Sequence, residues 1–385
     1  MSRKVGGTLA ALIAVALLLV PSATASRHML VGLLDETDTL YGNPDQNFPI
    51  LKRLRTQVLR VDLYWGGKSG LPHKFGVARR KPTDPADPSD PAYNWGIYDR
   101  TVNYAAQYGV KMLFTIYGTP PWANGNKAPN VAPTSAGMSL LRAFANAAAK
   151  RYAGDFPGDD GRNLPPVRLW TAWNEPNQPF QLYPQYQRVR GKWVIASARN
   201  YAKICNAVYA GVHSTLIRSE QVACGVTAPG GNNCARCARA TVSPLVFMRA
   251  AKAAGMKRFD AYAHHPYPRS PKETPTTRPP SNAVTLANIG VLQAQLRKLY
   301  GSKPLWLTEY GYQTNPPDRA LGVSPAKQAA YLKQAYAMAR KNPRITMMLW
   351  FLLKDERLLG GWQSGLMTAR GRVKPAFNAF RLLPH

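Results

Sequence analysis

Short apolar segments alternate with amphipathic segments along almost the whole chain. The apolar runs have the length and the two-sided hydrophobicity of buried parallel strands, and the segments between them carry apolar residues at helical spacing. The predicted strands are 29–34, 58–65, 110–118, one within 167–177, 222–228, 259–265, one within 304–314, and 345–353. The predicted helices lie near 47–56, 98–108, 135–152, 197–216, 243–254, 283–300 and 325–340, with the last starting near 374. Eight strand-helix pairs in order predict a TIM (β/α)8 barrel with right-handed crossovers.

The predicted connections after the strands are unequal in length. Long segments rich in Pro, Gly and charged residues follow the second, fourth, sixth and eighth strands, at 66–94, 176–195, 266–281 and 354–372. The connections before the strands are short. Because long loops on one rim of a barrel enclose a cleft, we expect the functional site at the carboxyl ends of the strands.

Two predicted strands end at a glutamate. The run VRLWTAWNEPN stops at Glu175, and PLWLTEYGYQT carries Glu309 at the end of the seventh strand. A single carboxylate in such a position is more often a helix cap or a surface charge, so the signal lies in the pair. Closure of the barrel would bring the two carboxyl groups across a substrate-sized gap, as glycosidic bond hydrolysis requires. Sequence spacing does not distinguish a retaining separation of about 5 to 5.5 Å from an inverting one of about 6.5 to 9.5 Å.

The WNEPN and LTEYG segments resemble the retaining glycoside hydrolases of clan A, of the family 5 and family 39 type. The resemblance spans nearly all of the chain after residue 25. It implies a retaining mechanism on a β-linked poly- or oligosaccharide, with Glu175 as acid/base and Glu309 as nucleophile. It also implies that Asn174 hydrogen-bonds the 2-hydroxyl of the sugar.

Further candidate site residues lie at other strand ends. Glu309 needs hydrogen-bond donors to stay ionised, and Arg60 of the second strand and Tyr267 after the sixth are candidates. The segment HHPY resembles the His-x-Tyr of the same clan, with His265 and Tyr267 at the matching positions. A single histidine is more often a core or surface residue, and only its place at a strand end favours a site role.

Tryptophans near strand ends are candidates for stacking against sugar rings. Trp122 and Trp350 are the favoured cleft residues, and Trp65 is a weaker candidate, although tryptophan more often serves packing. His and carboxylate spacing predicts no metal site, and there is no Gly-rich phosphate loop. No cofactor is therefore expected.

The first 25 residues have the pattern of a secretory signal peptide. Two basic residues precede an apolar run over 9–20, and a small-residue segment ends at Ala25, where we expect cleavage. The alternative, a transmembrane anchor, requires a longer apolar run. The prediction is a secreted protein without stable membrane insertion, whose residues 26–385 form one catalytic domain. Oligomeric state is left open.

All four cysteines fall in one part of the sequence, at Cys205, Cys224, Cys234 and Cys237. Export favours disulfides, with three possible connectivities. A zinc or redox site at the Cys-x-x-Cys pair is the less favoured alternative, because no second pair or His ligands lie near. We expect the disulfides to hold the Gly/Asn-rich loop 229–241.

The chain is strongly basic, with a formal net charge of +30. Two of the 50 Lys and Arg lie in segment 1–25, which leaves 48 against 20 acids, or +28. This charge indicates an anionic partner such as a cell-wall polymer or an acidic polysaccharide, unless it only reflects general composition. The basic residues are scattered and no RNA-binding aromatic motif is present, so nucleic acid is not expected as a partner.

Two hypotheses follow. The first is a secreted retaining O-glycosyl hydrolase. The second is a non-catalytic barrel that binds cell-wall carbohydrate or an acidic polymer through its basic surface. The two glutamates in specific contexts favour the first, because a pure binder has no need of paired carboxylates.

Overall fold

The computed structural model describes residues 29–67 and 76–384, so the predicted signal peptide at 1–25 lies outside the described residues. The strands are β1 (Leu30–Leu34), β2 (Val58–Tyr64), β3 (Lys111–Tyr117), β4 (Leu169–Ala172), β5 (Tyr186–Val189), β6 (Lys192–Ile195), β7 (Gln221–Thr227), β8 (Ala261–His264), β9 (Leu305–Tyr310) and β10 (Ile345–Phe351). The helices are α1 (Pro44–Arg53), α2 (Gly96–Gln107), α3 (Pro121–Asn124), α4 (Ser135–Arg151), α5 (Ala196–Val212), α6 (Pro244–Ala253), α7 (Ile289–Tyr300), α8 (Pro325–Arg340) and α9 (Pro375–Arg381). None of the helices in these two ranges is long and apolar enough to cross a membrane.

The barrel strands lie side by side in chain order. Within the described ranges, β1, β2, β3, β4, β7, β8, β9 and β10 form a closed barrel, and β1 pairs with β10 to complete the ring. Every neighbouring pair in the ring is parallel. The predicted (β/α)8 barrel is therefore confirmed, and the carboxyl ends of all eight strands meet at one rim.

The loop after the fourth barrel strand contains a hairpin that the sequence prediction missed. Strands β5 and β6 pair antiparallel across Arg190 and Gly191, whose φ values are +49° and +77°. Positive φ at both central residues is what a tight two-residue hairpin turn requires. The hairpin is short and largely exposed, so it lacks the apolar run that revealed the barrel strands.

The core has two parts because successive strand residues point to opposite faces. One cluster fills the space between the strands and the helices. The other fills the barrel interior with residues such as Val58 of β2, Leu113 of β3 and Leu169 of β4. Arg60 and Thr115, two residues further along β2 and β3, share this inward direction and lie nearer the rim formed by the carboxyl ends of the strands. The inward-facing residues of these strands are therefore apolar deep in the barrel and polar near the rim.

The four cysteines form two disulfides, Cys205–Cys224 and Cys234–Cys237. The first ties α5 to β7 and is buried. Only the second lies in loop 229–241, so the expectation that the disulfides together hold this loop is wrong for the first pair. The sequence left this pairing open, because four cysteines allow three connectivities.

Candidate active site

Two glutamates face each other at the rim formed by the carboxyl ends of the barrel strands. Glu175 follows β4, and Glu309 is the next-to-last residue of β9. One carboxylate oxygen of each, together with a ring nitrogen of His265, lies in a group whose atoms are all within 4.8 Å of one another. The side chains are 14% and 11% exposed, so both are largely enclosed and reach solvent through the cleft.

The backbone that carries Glu175 is strained. Trp173 has φ +67° and Glu175 has φ +35°, a region that residues with a Cβ rarely adopt. Such strain persists only where the surroundings hold it in place, and it concentrates at functional sites. Here the Trp173 indole donates to the carbonyl of Gln181 at 2.9 Å, which fixes the turn after the strand. The conformation aims Glu175 across the barrel mouth.

Arg60 lies at the centre of the floor and is fully buried. Its guanidinium donates to Glu309 Oε1 at 2.9 Å and to Asn174 Oδ1 at 2.7 Å. It also donates to Thr115 Oγ1 at 2.8 Å and lies 3.4 Å from Asp62 Oδ1. Burial lowers its pKa, but Glu309 and Asp62 more than offset this and the net shift is upward. One fixed cation therefore positions groups from three barrel strands and from the turn after β4.

His265 bridges the two glutamates. Its Nε2 lies 3.1 Å from Arg60 Nη1 and 3.0 Å from Thr308 Oγ1. Because Arg60 can only donate, Nε2 must accept, and the ring proton is assigned to Nδ1. That nitrogen faces Glu175 Oε1 at 3.0 Å and Glu309 Oε1 at 3.5 Å. Burial lowers the pKa of His265 to about 4, so the ring is a neutral donor at ordinary pH.

The two carboxyl groups have different partners. Glu309 accepts from Arg60 and, at 3.1 Å, from the hydroxyl of Tyr267, whereas Glu175 accepts from His265. Burial raises the pKa of Glu175 to about 7, with only Arg60 opposing it. Burial also raises the pKa of Glu309, but His265 and Arg60 both oppose that shift. Two carboxyls this close titrate as a pair, and the one with fewer donors keeps the shared proton.

Asn174 has its amide oxygen occupied by Arg60 and is 8% exposed. No partner for its amide nitrogen occurs in the part of the chain that the structure describes, so this N–H₂ is available to a ligand hydroxyl in the cleft. Its fixed orientation makes Asn174 a directed donor next to Glu175.

A second acidic group, which the sequence analysis missed, lies beside Arg60. Glu36 follows β1, accepts the hydroxyl of Tyr64 at 2.8 Å and accepts the backbone N–H of Asp62 at 2.9 Å. Asp62 shares the inward direction of Arg60, two residues earlier on β2. That spacing was visible in the sequence, but Glu36 lies in a loop with no comparable pattern.

The prediction that Trp350 is a cleft residue is wrong. Met347 and Leu349 of β10 point into the barrel, so Trp350 points outward, where it is buried and donates to the Ser364 carbonyl at 2.9 Å. Phe351 takes the inward position instead. Its ring packs 5.5 Å from that of Trp362 in the loop after β10.

Phe351 and Trp362 form an aromatic wall with Tyr267. The rings of Tyr267 and Trp362 are nearly parallel, at 21° and 6.3 Å between centroids. Trp362 is 48% exposed, so part of its ring is open to solvent beside Tyr267. Sugar rings stack well on such surfaces. The sequence could not assign Trp362 to the site, because a loop has no regular alternation that indicates side-chain direction.

The structure does not bring Trp122 into contact with the two glutamates. Trp122 lies on α3, partly buried, and its ring packs edge-on against Trp65 at 5.5 Å between centroids. Trp65 is itself buried and stacks on Phe144 of α4. Trp65 therefore serves packing, and Trp122 is only partly exposed.

Glu175, His265 and Glu309 also offer three atoms that could bind a metal ion. The charge around them does not suit a cation, because the Arg60 guanidinium is 2.9 Å from Glu309 and 3.1 Å from His265 Nε2. Nε2 is thereby occupied, and Nδ1 carries the proton. The trio fits proton transfer and charge stabilisation better than metal binding.

Comparison with solved structures identifies proteins with the same barrel fold. Solved structures with a similar barrel include a family 39 glycoside hydrolase from Bacteroides cellulosilyticus, with TM-score 0.61, 18% identity, and coverage of 94% of this chain and 64% of that one. A glucosidase from Croceicoccus marinus has TM-score 0.63 and 14% identity, covering 93% and 67%. A fungal β-1,4-galactanase has TM-score 0.57 and 13% identity, covering 92% and 99%. The resemblance to clan A is thus confirmed at the level of the fold, and these structural neighbours are glycoside hydrolases.

The chain belongs to a family of unknown function, DUF5722, whose model matches residues 121–384. No curated protein matches the sequence. The chain spans less than two thirds of the length of the family 39 glycoside hydrolase.

Proposed function

We propose that the protein is a retaining glycoside hydrolase that cleaves O-glycosidic bonds of a β-linked poly- or oligosaccharide. The observation that carries this proposal is the pair of rim carboxylates, whose oxygens approach within 4.8 Å across the barrel mouth. So close an approach supports the retaining separation of about 5 to 5.5 Å over the inverting separation of about 6.5 to 9.5 Å. The β linkage rests on the resemblance to clan A.

The two glutamates have separate roles in the proposed reaction. In the first step Glu309 forms a bond to the anomeric carbon while the glycosidic C–O bond breaks, and Glu175 gives its proton to the departing oxygen. In the second step a water attacks the same carbon, its proton passes to Glu175, and the bond to Glu309 breaks. Glu175 ends protonated and Glu309 ends ionised, as both began.

The surrounding residues support these roles. Arg60 and Tyr267 donate to Glu309 and hold it ionised in its attacking position. Asn174 presents its amide to a sugar hydroxyl beside the anomeric carbon, where hydrogen bonds strengthen in the oxocarbenium-like transition state. His265 keeps the two carboxyls at their separation without adding charge.

We also propose that residues 26–385 form one secreted catalytic domain. The disulfides Cys205–Cys224 and Cys234–Cys237 support this, because disulfides persist in oxidising compartments. Cleavage after Ala25 stays a prediction, since residues 1–25 lie outside the described part of the chain.

A screen of the purified protein against neutral and acidic polysaccharides and a series of aryl glycosides tests the proposed activity. We expect new reducing ends from at least one polysaccharide, and product sizes will distinguish endo from exo action. Matched samples of Glu220→Gln serve as control, because Glu220 is a buried glutamate at the opposite end of the barrel, just before β7. Hydrolysis that survives equally in Glu309→Gln and Glu220→Gln would contradict the proposal.

The pH dependence should reflect the shared proton. Glu175 must be protonated to act as acid, so kcat/KM should fall as the pH rises through about 7. Glu309 must be ionised, so the rate should also fall on the acidic side, through a pKa above that of an ordinary glutamate. Rates of an alkyl glycoside measured from about pH 4 to about pH 9 will show this profile.

The alkaline limb can be assigned with one variant. In Glu175→Gln the limb near pH 7 should disappear, whereas Glu220→Gln should keep it although burial raises the pKa of Glu220 to about 7 as well. Loss of the limb in Glu220→Gln alone would show that stability, and not Glu175, controls the profile.

A further inference from the structure

A cavity of about 440 Å³ adjoins the catalytic turn. Loops after the fourth, fifth and sixth barrel strands enclose it. Gln178 comes from the first of these loops, Arg239 from the second, and Arg269 from the third. The cavity has the volume of a site for a small ligand or one sugar unit.

The cavity lies on the side of Glu175. The backbone N–H of Gln178 donates to the Glu175 carbonyl at 2.9 Å, so one turn carries both the proposed acid and a wall of the cavity. The acid must reach the oxygen of the departing sugar, whereas Glu309 must reach the carbon that stays. A substrate placed between the two glutamates therefore extends its leaving-group portion toward this cavity.

Two arginines give the cavity its charge. Neither Arg239 nor Arg269 forms a side-chain ion pair among residues 29–67 and 76–384, and both are exposed. One acid lies close by: the carboxylate of Glu273 accepts the backbone N–H of Arg269 at 2.8 Å. Its bond is to the main chain, so it leaves the guanidinium of Arg269 free.

The polar amides of the cavity are already used by the protein. Gln178 donates to the Gly230 carbonyl at 3.1 Å, and Asn282 donates to the Gly231 carbonyl at 2.8 Å. Asn232 donates to the Arg239 carbonyl at 2.9 Å. These bonds fix the loop that carries Arg239, and the Cys234–Cys237 disulfide closes the same loop. The amide nitrogens of the wall are thus occupied, and the two arginines supply its cationic groups.

An exposed aromatic ring lies beside the arginine pair. Phe180 is 49% exposed, and the guanidinium carbon of Arg239 is 5.9 Å from its ring centroid. The ring limits the directions open to the Arg239 side chain and offers an apolar surface to a sugar face. Planar guanidinium groups match carboxylate and sulfate oxygens in pairs.

We propose that this cavity is a leaving-group subsite for an anionic sugar, in which Arg239 and Arg269 bind a carboxylate or sulfate of the substrate. The proposal rests on the proposed glycosidase function and names its substrate class. It assigns anion binding to two particular arginines and not to the overall basic charge of the chain. Uronic acid polymers would supply this anion as a carboxylate and sulfated glycans as a sulfate ester, and the experiment separates the two.

Ligand binding to the whole protein tests this subsite without requiring turnover. The probes are a β-linked oligoglucuronate, its carboxyl-reduced neutral counterpart, and a sulfated β-linked galactan oligosaccharide, each titrated by calorimetry at two salt concentrations. The double variant Arg239→Gln/Arg269→Gln removes the cavity charges. The control Arg236→Gln/Arg278→Gln removes equal charge from the same two loops, at exposed arginines outside the cavity wall.

We expect the double variant to weaken binding of an acidic probe at least about tenfold, because charge-assisted hydrogen bonds to two guanidiniums are lost. Binding of the neutral probe should change little, and the control should bind the acidic probe within about twofold of wild type, as expected for screened surface charge. The acidic probe that responds identifies carboxylate or sulfate as the anion.

Three outcomes would overturn the subsite. These are equal loss in the control pair, equal loss for the neutral probe, or acidic oligosaccharides that bind no better than the neutral one. Failure of the proposed hydrolase function has a different signature, in which the arginines bind the anion but neither the wild type nor Glu309→Gln cleaves any glycoside. Circular dichroism melting checks that all variants are folded.

Discussion

Glu309→Gln should lower kcat for glycoside hydrolysis by at least about 10³-fold, because the amide cannot form the bond to the anomeric carbon. Glu175→Gln should cause a similar loss on substrates with alkyl or sugar leaving groups. Its effect on an activated aryl glycoside should be smaller in the first step, since such a leaving group needs no proton. Steady-state rates on both substrate types will show the difference.

The roles can be separated by adding azide. With Glu309→Ala, azide occupies the vacated space and attacks the anomeric carbon, so the expected product is a glycosyl azide of inverted configuration. With Glu175→Ala the enzyme intermediate still forms, and azide should give the retained configuration. Swapped configurations would exchange the roles of the two residues, and Glu220→Gln should behave as wild type throughout.

Arg60→Met should be the most damaging substitution outside the glutamate pair. It leaves Glu309 and Asp62 buried near one another without the cation that both face, and it removes the hydrogen bond to Asn174. We expect the free energy of unfolding to fall by about 3 to 5 kcal/mol, as for other broken buried ion pairs. The pKa of Glu309 should rise, because Arg60 is one of the groups that hold it down.

Arg151→Met is a matched control for that loss. Arg151 donates two hydrogen bonds to Asp99 in a mostly buried pair between α4 and α2, away from the two glutamates. Urea unfolding should show a comparable loss of stability in both variants. Only Arg60→Met should shift the acidic limb of the pH profile upward and lower kcat of the folded fraction. A common decrease without any pH shift would mean that Arg60 serves stability alone.

The alternation of inward-facing and outward-facing residues along a strand explains what the sequence could predict. Buried apolar runs marked the eight barrel strands, and the end of each run placed Glu175, His265 and Glu309 near one rim. The same alternation, applied to β10, would have predicted that Trp350 points outward and Phe351 inward. Trp350 was wrongly predicted to be a cleft residue because the prediction relied on its position near a strand end. It did not consider the direction of the side chain.

Other parts of the site depend on contacts between distant segments. Arg60 contacts Thr308 and Glu309 across 248 and 249 positions, and only the closed barrel sets which carboxylate it meets. Trp362 reaches Tyr267 from a loop whose path follows no repeating pattern. The separation of the two carboxyl groups distinguishes an inverting from a retaining mechanism. It too is set only when the barrel closes.

The most direct test of the proposed double displacement is to trap the intermediate. A 2-deoxy-2-fluoro glycoside with an activated leaving group, built on the sugar identified by the screen, slows the second step more than a competent first step and lets the covalent species accumulate. Intact-protein mass spectrometry should show one added glycosyl unit, and peptide mapping should place it on Glu309. A label on Glu175, or turnover to a product of inverted configuration with no labelled protein, would contradict the account.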